Sequence, residues 1–97
     1  MIRRRMPWND EHGRPVYICT DNPDGLLSRM ADRLEAEMTA NAQKVLVNSR
    51  ELLASENVSA EALRFAIRRL SECLMDVLRI AEIRGDRLSG MGSGKDG

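Results

Sequence analysis

From Ser59 to Leu88 the chain reads SAEALRFAIRRLSECLMDVLRIAEIRGDRL, and no other stretch restricts the fold as strongly. Leu63, Ala66, Ile67, Leu70, Cys73, Leu74, Val77 and Ala81 recur at three- and four-residue steps, which places them on one side of a helix. Arg64, Arg68, Glu72, Asp76, Arg79 and Glu82 fall on the other side. Arg68/Glu72 and Asp76/Arg79 are spaced to pair along that surface. The segment 59–88 is therefore expected to be an amphipathic helix with the aliphatic stripe turned inward.

A second stripe precedes it. Leu27, Met30, Ala31, Leu34, Met38, Ala42, Val45 and Leu52 continue a near-heptad pattern as far as Ala54, with Asn41 and Asn48 as polar interruptions. Asp21 or Asn22 as a cap, Pro23 at the first helical position and Asp24 in the first turn predict a helix over 23–54. Residues 55–58, Ser-Glu-Asn-Val, break the period, and Ser59 restarts it as an N-cap. So short a break folds two helices of similar length side by side, antiparallel.

The flanks look different. Residues 1–22 contain Pro7, Gly13 and Pro15, show no helical period and read as an irregular arm. Within it, 16–20 is β-branched and aromatic enough for one short strand, with no evident second strand to pair with. The cluster Arg3-Arg4-Arg5 precedes Met6, itself a plausible start, and so is given little weight. Residues 89–97 are small and polar and read as a flexible tail.

With 97 residues and a single Trp, Tyr and Phe, one core of Leu, Ile, Val, Met and Ala is expected. The fold class that follows is all-α: an antiparallel two-helix hairpin with an irregular N-terminal arm. Two amphipathic helices cover only part of each other, and Leu46, Leu53, Phe65 and Ile83 lie off the predicted seam. They form the predicted interaction surface, covered by pairing two hairpins into a dimeric four-helix bundle.

Chemistry is hard to find. His12 is the lone histidine, next to Asp10 and Glu11, without a second cluster to complete a metal site. Cys73 sits on the apolar stripe; Cys19, on the arm, lacks a resolving partner. The tail Ser89-Gly-Met-Gly-Ser-Gly-Lys-Asp96 misses the phosphate-loop pattern, since Ser89 replaces the first glycine and Asp96 the hydroxyl residue. No catalytic residue, cofactor or metal ligand is assigned, and the chain is read as a non-enzyme.

Fifteen basic and fifteen acidic residues cancel, which argues against general attraction to phosphate backbones. Without a membrane-length apolar run or a disulfide framework, the expected setting is cytoplasmic and off the membrane. The function read from these features is a non-enzymatic helical protein–protein interaction or regulatory module with an unidentified protein partner, expected as a homodimer. The alternative is a small nucleic-acid-associated transcriptional regulator using Arg64, Arg68 and Arg69. A strand followed by two helices resembles the ribbon-helix-helix repressors in element order. Val16 to Thr20 supplies no Arg or Lys to read a groove, however, so the resemblance transfers no functional residue.

Overall fold

The computed structural model describes residues 2–22 and 25–96, with side chains for 3–22 and 25–86. Element order is β1 (Ile2–Asn9), β2 (Pro15–Thr20), α1 (Leu26–Ala54) and α2 (Ala60–Asp96). The all-α expectation is thus wrong at the N-terminus, where β1 and β2 form a two-stranded antiparallel sheet.

The segment read as an irregular arm contains the strand partner that 16–20 needs. Ile2 to Arg5 pair with Thr20 to Tyr17, and pairing resumes at Asn9↔Pro15 after a shift in register. Three arginines and a proline disguise β1, because none of them favours a central strand. Pro7 is accommodated inside the register shift, where a missing backbone donor breaks no ladder bond.

The connection between the strands is built by Asp10 and Gly13. The Asp10 carboxylate oxygen Oδ1 accepts from the backbone N–H groups of His12 at 2.8 Å and Arg14 at 2.9 Å. Gly13 donates to the Asp10 carbonyl at 3.0 Å with φ at +77°. That left-handed conformation is cheap only without a Cβ.

α1 begins later than the capping residues suggest. Its N-cap is Gly25, without a side-chain cap, and Gly25 N–H bonds the Asn22 carbonyl at 3.1 Å. Pro23 and Asp24 lie outside the described residues. At α2, Ser59 Oγ accepts from Ala62 N–H at 3.1 Å, with Glu61 in the first turn. The α2 backbone runs on to Asp96 rather than ending at Leu88.

The two helices lie antiparallel; α1 turns most of its predicted stripe inward, Ala31, Leu34, Met38, Ala42, Val45 and Leu52, whereas α2 does not. On α1, Ser28, Ala31, Glu35, Val45 and Ser49 are buried, with Met38, Ala42 and Leu52 half-buried. On α2 the inward line is Ala62, Ala66, Arg69, Cys73, Asp76, Ile80 and Ile83, again at alternating four- and three-residue steps. Of the predicted α2 stripe only Ala66 and Cys73 face in. Small residues, Ser28, Ala31, Ala42, Ser49, Ala62, Ala66 and Cys73, recur along both lines, where larger aliphatic side chains would overpack the contact. The seam hydroxyl of Ser49 satisfies itself on the Val45 carbonyl at 2.7 Å.

At the open end of the hairpin, β1 packs against both helices. Successive strand residues point to opposite sides, and Arg4 and Arg5 use this to grip one helix each. Arg4 donates to the Ser28 carbonyl at 3.1 Å and to Asp32 at 2.6 Å, with Glu35 at 3.4 Å, all on α1. Arg5 reaches Glu82 at 3.2 Å and Asp86 at 3.6 Å on α2. Met6, Pro7 and Ile83 are fully buried there. The arm thus caps the hairpin through Met6 and Pro7.

Candidate interaction surface

The four residues assigned to an interaction surface end up in three places. Ile83 is 1% exposed, which removes it from any surface. Its position looked off-seam only because the seam was taken one residue away. Phe65 is exposed and lines a groove between the helices with Val45, Asn48, Ser49, Leu52, Ala66 and Arg69. Leu46 and Leu53 are exposed elsewhere on α1.

Helix geometry sorts the surface into two faces. A second groove of about 550 Å³ is lined by Leu34, Glu37, Met38, Asn41 and Lys44 of α1 and Asp76 of α2. The two grooves share one side of the hairpin, since Asn41 and Asn48 are one heptad apart. Leu46 and Leu53 occupy the other shoulder of α1, more than about 120° around the helix from Asn41 and Asn48 at about 100° per residue. By the same count, Leu63, Ile67, Leu70, Leu74 and Val77 occupy the shoulder of α2 turned away from Phe65 and Asp76. The two shoulders meet across the seam and form one aliphatic face opposite the grooves.

This face is uncovered. Leu53 is 81% exposed, Ile67 63% and Leu74 58%, and even Leu70, at the middle of the stripe, is 37% exposed. The residues that were to build the core instead point outward at coiled-coil spacing: 63, 67, 70, 74, 77. Sequence inspection missed this because α2 carries two heptad lines offset by one residue. The inner line mixes Ala62, Ala66 and Cys73 with Arg69, Asp76, Ile80 and Ile83, and the outer line is the more uniformly aliphatic.

The arginines proposed for nucleic acid also divide. Arg69 is half-buried and holds Glu72 at 3.3 Å, taking the acid expected to pair with Arg68. Arg79 and Asp76 pair at 3.9 Å. Arg64 and Arg68 are exposed and make no ion pair among the described residues. Of the N-terminal cluster, Arg4 and Arg5 are spent on the helices, and Arg3 stacks over the Tyr17 ring at 4.0 Å.

Asp10, Glu11 and His12 form the strand connection. Asp10 is engaged by backbone donors, and His12 Nε2 lies 3.4 Å from Glu11 Oε1 with both side chains exposed. Among the described residues no group of three His, Cys, Asp or Glu is placed to hold a metal ion, and no helix is long and apolar enough to cross a membrane. Cys19 is exposed and Cys73 buried, neither in a disulfide.

Comparison with known proteins leaves the surface as the main guide. No family model, curated protein or solved structure matches the chain. Functional inference therefore rests on the aliphatic face and its surroundings.

Proposed function

We propose that this chain is a non-enzymatic protein–protein interaction module of the cytoplasm, acting through the aliphatic face of its helical hairpin. The observation that carries this reading is the outward heptad line Leu63-Ile67-Leu70-Leu74-Val77 flanked by Leu46 and Leu53. Contiguous aliphatic surface of this extent costs free energy in water at roughly 25 cal/mol per Å², and monomers rarely leave it bare. Homodimerisation is one way to cover it. Two cysteines outside any disulfide fit a reducing compartment.

The test is a photo-crosslinking side chain placed at Ile67 in the full chain and expressed in the native host, compared with the same side chain at Lys44 on the grooved face. Protein adducts are expected from position 67 and not from 44. Adducts from neither position, or equally from both, would remove the aliphatic face from this role.

A nucleic-acid reading keeps one supporting observation, the exposure of Arg64 and Arg68 without an ion pair among the described residues. Two such residues neutralise few phosphates, and each contributes about one unit to the log–log salt slope. Fluorescence anisotropy with a labelled duplex is expected to show weak binding that is gone by about 150 mM salt. Sub-micromolar binding at that salt, abolished by Arg64→Glu with Arg68→Glu, would put this reading first.

A further inference from the structure

We infer that the occupant of the aliphatic face is a second copy of this chain, the two hairpins stacking face to face about a two-fold axis near Leu70. This rests on the interaction reading above and names its partner. Three features of the molecule support it.

Area comes first. At their fractional exposures the seven aliphatic side chains of the face present roughly 700 Å², close to the ~800 Å² per partner of a standard stable interface. Covering half of it with a short peptide helix would leave Leu46 and Leu53, or Ile67 and Leu74, in water. A two-helix layer of equal length covers all of it.

Shape is the second. The grooves between the helices are on the opposite side, lined by Asn41, Asn48, Asp76 and Phe65. Neither of these grooves, which could seat a single anchored helix, opens on the aliphatic face. That face is a row of knobs at heptad steps, and the complementary surface is another row with the same spacing. The molecule carries one such row, and an isologous two-fold contact sets it against itself.

The chemistry of the row is the third. Its seven aliphatic members are Leu, Ile and Val, with Arg50 between Leu46 and Leu53 on the α1 line. A largely aliphatic contact resembles a domain core cut in two, as in obligate homodimers. The end of the face nearest β1 is closed by charge, with Asp32 held by Arg4 at 2.6 Å and Arg84 largely exposed. The contact is thereby limited to the half of the hairpin that carries the aliphatic row.

Sedimentation equilibrium of the full chain is the deciding experiment. The expected mass at about 100 μM is twice the 10.9 kDa of the chain. Ile67→Glu with Leu74→Glu should shift it to the monomer with helical circular dichroism retained, since neither side chain is in the intrachain seam. Glu37→Ala with Lys44→Ala, on the grooved face, should leave the dimer in place. A full chain that stays monomeric at about 100 μM, some hundredfold above an expected micromolar Kd, overturns the inference. So does a dimer that survives both glutamates. If the chain is monomeric while position 67 still crosslinks to another protein, the self-pairing is wrong and the interaction reading stands. If position 67 crosslinks to nothing, both fall.

Discussion

Arg3, Arg4 and Arg5 are one indistinguishable triplet in the sequence and have three different environments. Arg4 and Arg5 are side-chain buried to about the same extent, at 13% and 12% exposure; each pairs a terminal nitrogen with carboxylates of a different helix, while its Nε is buried without a hydrogen-bond partner. Arg4 faces Glu35, which is 5% exposed and also near Arg84 at 4.0 Å. Its removal takes a charged partner from a buried carboxylate, which is the costly way to break an ion pair. The exposure of Asp32 discounts the rest of the cluster. Arg4→Ala is expected to lower stability by about 1–3 kcal/mol in urea unfolding, and Arg3→Ala by less than about 1 kcal/mol, the range of an exposed cation–π contact. Equal losses would show that β1 is not held as described. Ile83→Ala removes a fully buried aliphatic group beside Met6 and Pro7 and is expected to cost about 2–5 kcal/mol.

At the scale of elements, periodicity identified both helices and misjudged how α2 is turned. The lines 62, 66, 69, 73, 76, 80, 83 and 63, 67, 70, 74, 77, 81 differ by one residue, about 100° of rotation. Hydrophobicity alone favours the second line, and helix–helix approach favours the first. Alanine substitutions separate them. Ile80→Ala on the inner line is expected to cost about 2–4 kcal/mol at any protein concentration, whereas Leu70→Ala should lose about 1 kcal/mol in the dilute monomer and weaken self-association in addition. The β-hairpin was half legible: Val16 to Thr20 has strand composition, while Ile2 to Asn9 does not, and Asp10 with Gly13 marks the turn between them. Gly13→Ala puts a Cβ on a residue at φ +77° and should cost about 1–2 kcal/mol, read as a lower thermal midpoint.

For the whole molecule, the N-terminal sheet is the closing piece of the open end. A chain beginning at Met6 lacks Arg4, Arg5 and every β1 pairing except Asn9↔Pro15, so it should unfold at distinctly lower urea than the full chain. An unchanged midpoint would mean that the helices close by themselves. The 57 × 28 × 25 Å outline is that of a hairpin two helices wide, long enough to present a face and too thin to bury one. Length, the heptad periods and the short break at 55–58 determined by themselves that there would be two antiparallel helices, because these follow from local repeat and chain connectivity. The surplus of aliphatic surface was legible too, since two helices cannot hide two stripes. Which stripe turns inward, which arginines become part of the core, and what β1 pairs with were decided only in the tertiary structure. Each depends on distances between segments far apart in the chain: how near two helices can come when Ala, Ser and Cys line the contact, and which carboxylates meet a guanidinium on either side of a strand.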